Sequence, residues 1–276
     1  MPRFAVLQCS DDTDYVNKKY GGYFGVFLRL LADDGEFWDV FHVVDGDFPN
    51  DEQIGVYDGF VITGSRKDAF GNDDWIRQLL TLLNKVHLMK KKILGICFGH
   101  QILARVLGGR VARAVSGGDL GVRIINVSSS THFFGNLKTP TTLSVIKCHQ
   151  DEVHELPSDA EVLASSDKTR VEMFRYQDHI MGVQGHPEYT NDILMNLIDR
   201  FLQHRLMEVI QLLIASPNGV DILSRYAKKN VLMILFCVDE YVQESHAMEV
   251  RSKLAIEQPD TELWKKLCTS FLKGRL

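Results

Sequence analysis

The chain has 276 residues, enough for one large α/β domain or two small ones, and with 45% of them hydrophobic it can bury a sizeable core. A net charge of −5 and a pI near 6.1 give no electrostatic reason to expect nucleic acid or an anionic membrane as a partner. The five cysteines are odd in number, scattered and without a C-x-x-C pair, which speaks against a disulfide framework or a zinc knuckle and for a reducing compartment, so the cytosol is expected.

The first residues, MPRFAVLQCSDD, lack the apolar stretch of a secretory leader. From there, short apolar runs alternate with longer amphipathic ones. Phe4–Cys9, Phe37–Val44, Tyr57–Thr63 and Ile93–Cys97 read as strands. Between them, Asp14–Gly35 and Asp73–Lys92 carry helical periodicity, the second ending in the basic run Lys90–Lys92, where cations suit the negative end of a helix. Buried strands alternating with helices predict βαβ units and a largely parallel sheet.

After Gly109 the rhythm changes. Val122–Ser128, Leu143–His149, Ala160–Ser166, Val171–Tyr176 and Ile180–His186 follow one another with little helix between, which predicts antiparallel strands extending the sheet or forming a side layer. Thr190–Leu206 returns to helix. No repeat or linker interrupts the chain, so a single catalytic domain is read over 1–205. The most apolar stretch beyond it, Val231–Val238, is too short to span a bilayer.

Gly95-Ile96-Cys97-Phe98-Gly99 has the spacing of a nucleophile elbow, in which strand, sharp turn and helix place a nucleophile between two small residues. A Cβ at 95 or 99 would crowd the turn. Cys97 then sits at the carboxyl end of a strand and the amino end of a helix, where open α/β sheets place their sites and where the helix favours thiolate. By itself the pattern also suits a buried cysteine filling an apolar slot. A thiolate needs a base, and of the ten histidines His186 stands out, because a strand runs straight into Gly185-His186-Pro187-Glu188. Residues two apart on extended chain project to one side, so His186 and Glu188 present imidazole and carboxylate together, the carboxylate fixing the ring's tautomer. Seen alone, H-P-E also suits a strand-ending turn. Cys97 and His100 have a C-x-x-H spacing, but zinc needs two more ligands and no second pair supplies them, so no metal and no cofactor is expected.

GICFGHQ followed about 90 residues later by GHPE resembles the class I glutamine amidotransferase family. The resemblance covers residues 4 to about 205 and implies that family's flavodoxin-like, three-layer α/β fold, with a central, mostly parallel sheet and helices on both faces. It implies Cys97 as nucleophile, His186 as general base and acid, and Glu188 as its orienter. Gln101 would line the glutamyl pocket. DGFVITGSR is similar to the family's oxyanion segment, which implies backbone amides of Gly64 or Ser65 together with Phe98, although TGSR departs from the usual Gly-Gly. KCHQDEV is similar to its H-x-D loop facing the substrate's α-amino acid end, here His149, Gln150 and Asp151.

KKYGGY, DAFGNDDWI, QGHPEY and the tail LWKKLCTSFLKGR narrow the likeness to the plant cytosolic γ-glutamyl peptidases. That resemblance implies hydrolysis of the γ-glutamyl bond of glutathione and its conjugates, in glutathione turnover and in sulfur-containing defence metabolites such as glucosinolates. The substrate is then a small molecule, and no nucleic acid, membrane or obligate protein partner is expected. The alternative is a glutaminase subunit supplying ammonia to a separate synthetase. Residues 206–241 form an apolar segment with no motif resembling a site, read either as a lineage-specific insertion or as translated non-coding sequence. Residues 242–276 are expected to form a helical tail.

Overall fold

The structure, a computed structural model, describes residues 1–128, 140–215, 250 and 257–276, with side chains of 204–215 outside the description. The chain divides into two compact units, Met1–Tyr189 with Pro259–Leu276, and Thr190–Gln258.

In the first unit the elements follow as β1 (Arg3–Gln8), α1 (Asp14–Tyr20), α2 (Gly22–Leu31), β2 (Phe37–His42), α3 (Asp51–Val56), β3 (Gly59–Ile62), α4 (Asp74–Leu88), β4 (Lys92–Ile96) and α5 (Phe98–Val106). Then come β5 (Arg110–Arg113), β6 (Asp119–Val127), β7 (Thr142–His149), β8 (Asp151–Glu155), β9 (Ala160–Ser165), β10 (Met173–Tyr176) and β11 (Ile180–Val183). A last helix, α7 (Thr261–Leu272), closes the unit; α6 (Asn191–Ala215) belongs to the second.

The main sheet has nine strands in the order β2-β1-β3-β4-β11-β10-β9-β6-β7. The first five run parallel and the rest antiparallel. The antiparallel run thus extends the sheet, while β5 and β8 pair as a separate ribbon. β11 is inserted beside β4 in parallel register, with Val183 opposite Ile96. This pairing joins the two site motifs.

Both faces of the sheet are covered. On β1, Phe4 and Val6 pack with α2 (Phe27, Leu30, Leu31) and α7 (Trp264, Leu267, Phe271), whereas Ala5 and Leu7 face α4 (Ile76, Leu79, Leu83) and α5 (Ile102, Leu103). Strands apolar on both sides are what a helix-covered parallel sheet requires. The three-layer α/β architecture follows.

Several boundaries differ from the sequence pattern. The helix predicted over Asp14–Gly35 is broken between α1 and α2, because Gly21 and Gly22 have φ of +76° and +86°. A Cβ on Gly22 would also lie 2.5 Å from Asp12 Oδ2, whose partner oxygen Oδ1 accepts the Tyr23 N–H at 2.7 Å. Short α3 was not anticipated; an Asn50–Gln53 capping box closes it reciprocally. The helix predicted to end near Arg205 continues as α6 to Ala215, just before Pro217, since no Gly or Pro interrupts residues 191–215. The boundary read at 205 is therefore no break in secondary structure, and most of the segment 206–241 lies outside the described residues. The expected tail is described as α7, which is part of the first unit. Among the described residues no helix is long and apolar enough to cross a membrane.

Candidate active site

Cys97 follows β4 directly and caps α5 with φ +53° and ψ −103°, a conformation that costs a non-glycine residue about 1–3 kcal/mol. Two packing facts force this turn. A Cβ on Gly95 would lie 2.4 Å from the Gly99 carbonyl oxygen, and one on Gly99 would lie 2.4 Å from the Ile62 oxygen of β3. Gly99 is therefore required by the neighbouring strand as well as by the elbow. The Cys97 N–H donates to Val183 O at 2.8 Å, tying the turn to β11.

His186 lies three residues beyond the end of the same β11 and donates its N–H to Ile146 O of β7 at 2.7 Å. Its Nδ1 meets Glu188 Oε1 at 2.8 Å, and both side chains are buried. Tyr189 stacks on the ring, with centroids 4.1 Å apart and planes within 8°. With Nδ1 taken by Glu188, Nε2 is the ring nitrogen left for another partner. A Cβ placed on Gly64 would lie 2.9 Å from His186 Cε1 and 3.7 Å from Cys97 Cβ, so the oxyanion segment meets both groups. Burial works against charge on the ring, but the Glu188 carboxylate and then the Cys97 thiolate more than offset it and push its pKa up to about 10. The site is built to keep the imidazole charged.

The residues expected to supply oxyanion amides lie in ordered surroundings. Phe98 N–H is a first-turn amide of α5 with no side-chain cap. Thr63 Oγ1 accepts Cys9 N–H at 2.9 Å and donates to Gly64 O at 3.0 Å, which fixes the Gly64 peptide. Ser65 is half-buried, and its Oγ accepts Lys67 N–H at 3.1 Å.

The remaining predicted residues are placed differently from one another. Gln101 is buried, and its amide nitrogen donates to Asp151 O at 2.8 Å and Gln184 Oε1 at 3.1 Å, so both of its N–H groups are spent inside the wall. His149 ends β7, its Nδ1–H donating to Asp151 O at 3.1 Å; burial first, then Lys147, pushes its pKa down to about 4. It is therefore neutral, with a buried Nε2 that has no partner among the described residues. Gln150 is exposed at the tight β7–β8 turn. The Asp151 carboxylate pairs with Arg113 at 2.6 Å, and Arg113 also reaches Asp68 at 3.0 Å. His100 packs on Phe174 with ring centroids 5.0 Å apart, and burial drives its pKa down to about 3. Among the described residues no three His, Cys, Asp or Glu groups converge as a metal would need.

One group was missed. Gln184, fully buried, points its amide nitrogen at Cys97 Sγ at 3.8 Å. The signal was its place directly after the strand and two residues before His186.

A cysteine at the elbow and a buried histidine held by a carboxylate stand together on this α/β fold. The class-I glutamine amidotransferase family model matches residues 41–203, and the chain belongs to that family. Over 276 aligned residues it is 43% identical to γ-glutamyl peptidase 3 of Arabidopsis thaliana, spanning 99% of this chain and 97% of the relative. It is 44% identical to γ-glutamyl peptidase 5 of the same plant over 277 residues, 99% of this chain and 96% of the relative. Likeness of this extent makes it a hydrolase. In fold it is similar to the crystal structure of a glutamine amidotransferase from Thermotoga maritima, with a TM-score of 0.62, 18% identity, and coverage of 99% of this chain and 97% of the other.

Proposed function

We propose that the chain hydrolyses the γ-glutamyl amide bond of glutathione and its conjugates through a γ-glutamyl thioester on Cys97. The observation that carries this reading is the buried Cys97–His186–Glu188 arrangement, in a chain whose full-length relatives are γ-glutamyl peptidases. The Cys97 thiolate attacks the δ-carbonyl, and the amides of Phe98 and of Gly64 or Ser65 receive the oxyanion, each such donor being worth about 3–4 kcal/mol where measured. His186 gives its proton to the departing amine, leaving the thioester. It then takes a proton from water, which attacks the thioester and releases glutamate. The neutral His149 presents a lone pair at Nε2, suited to an ammonium N–H at the α-amino acid end of the substrate.

The enzyme acts alone on a small molecule in the cytosol, in glutathione turnover and in the making of sulfur-containing defence metabolites such as glucosinolates. The test is incubation of purified protein with glutathione, a glutathione S-conjugate and glutamine, following glutamate and Cys-Gly by mass spectrometry. Cys-Gly release from the tripeptides well above glutamine hydrolysis supports the reading. Preferred glutamine hydrolysis would transfer it to ammonia supply.

A further inference from the structure

The strongest unassigned chemistry lies behind the nucleophile. Gln184 is wholly buried, follows β11 and is held by its backbone N–H on Glu172 O at 2.8 Å. Its side chain can turn either an oxygen or a nitrogen toward Cys97, and these have opposite effects on a sulfur anion. The hydrogen-bond network decides between them. Asp151 O is a carbonyl and only accepts, so the end of Gln101 facing it at 2.8 Å is the nitrogen. The second N–H of that nitrogen points at Gln184, 3.1 Å away, so the Gln184 atom there is the oxygen. The nitrogen of Gln184 must then face Cys97 Sγ, at 3.8 Å. Reversing either amide would oppose donor to donor or acceptor to acceptor in a buried wall, where an unmade hydrogen bond is costly.

We propose that Gln184 is a further catalytic group, whose N–H donates to the Cys97 sulfur and favours its thiolate form, in an orientation that Gln101 dictates. The proposal rests on Cys97 being the nucleophile. A neutral N–H stabilises a sulfur anion far more than a thiol or a thioester, both weak acceptors. Gln184 therefore acts twice in the cycle. It raises the fraction of thiolate before attack, and it receives the charge returning to sulfur when water breaks the thioester. His186 loses its proton to the leaving amine and regains one from water, so its charge changes within the cycle. Gln184 has no proton to give and stays.

The test is the pH dependence of Cys97 alkylation by iodoacetamide, with the labelled residue mapped by mass spectrometry, in wild type, Gln184→Leu and Gln184→Glu. In Gln184→Leu the half-maximal rate should move up by about one pH unit, which lowers the rate below the midpoint about tenfold. Gln184→Glu is the isostere and keeps the packing. A merely structural role would leave it near wild type, whereas a carboxylate beside the sulfur should move the profile up further than leucine does. A Gln184→Glu profile that matches wild type, or a Gln184→Leu profile unchanged in a folded protein, overturns the proposal. Wild type labelled at Cys97 should lose glutathione hydrolysis. If it keeps turning over, the nucleophile assignment itself falls, independently of either variant.

Discussion

At the scale of single residues, Cys97 combines two demands that oppose each other. Its φ of +53° suits glycine, yet the chemistry needs a thiol there. Cys97→Gly should therefore abolish turnover while raising the unfolding free energy measured in urea by about 1 kcal/mol, as the strain is released. A loss of stability in that variant would show that the thiol's contacts outweigh the strain. The two groups behind the thiol should separate in the same way. His186→Ala removes the proton donor and should lower kcat/KM by about 10²–10⁴. Glu188→Gln leaves the ring in place but removes the first group that raises its pKa. It should remain partly active, with the alkaline limb of its pH–rate profile moved to lower pH. The sign is fixed by linkage: a ring whose folded pKa is raised to about 10 contributes stability present in full below its unfolded value near 6.5. That contribution disappears as the pH rises through about 10. Wild type should accordingly lose stability across this alkaline window, and Glu188→Gln should lose less of it. If Glu188→Gln proved more damaging to turnover than His186→Ala, the assigned roles would be reversed.

At the scale of elements, the elbow was legible because its glycines answer local crowding. Gly99→Ala would drive a methyl to within 2.4 Å of the Ile62 carbonyl, a backbone atom that cannot turn away. Loss of roughly 3 kcal/mol or more is expected for overpacking of this kind, together with loss of activity. Gly35→Ala makes a useful contrast, since φ is +81° but no atom lies within 4 Å, so it should cost only the left-handed strain of about 1 kcal/mol. Equal urea midpoints for the two variants would contradict this account. The parallel strands were legible from apolar runs because both of their faces are covered. The α1–α2 break was not, since it depends on Asp12 reaching Gly22 and Tyr23 from across a loop. Thr63 looked like strand but leaves β3, because its hydroxyl ties Cys9 to Gly64. Gln101, expected to line the glutamyl pocket, spends both N–H groups on Asp151 and Gln184. Partners about 50 and 83 residues distant in sequence are set by topology, and no local pattern announces them.

At the scale of the whole molecule, the first 189 residues and the last 18 form one compact unit, so the tail has to find its place on a sheet built from distant parts of the chain. The helix α7 supplies Trp264, Leu267, Cys268, Phe271 and Leu272, all wholly or almost wholly buried, to the core cluster shared by Phe4, Phe27, Leu31, Leu94 and Ile96. The Trp264 indole N–H also reaches Ser144 O at 2.9 Å, so one side chain joins the tail to the antiparallel half of the sheet. Phe4 and Leu94 belong to β1 and β4, and β4 leads directly into Cys97. Stability of the site strand is thus tied to a helix that contributes no group to the chemistry. Trp264→Ala should cost about 3–5 kcal/mol, the range for removing a large buried aromatic, with the lost Ser144 bond included in that range. The folded fraction should keep its KM and kcat near wild type, because the indole makes its hydrogen bond to Ser144 O and none to Cys97, His186 or Glu188. The check is urea unfolding followed by tryptophan fluorescence of Trp38 and Trp75, alongside kinetics at low urea. An unfolding free energy within about 1 kcal/mol of wild type would show that α7 is an accessory to the sheet, and that the unit stands without it.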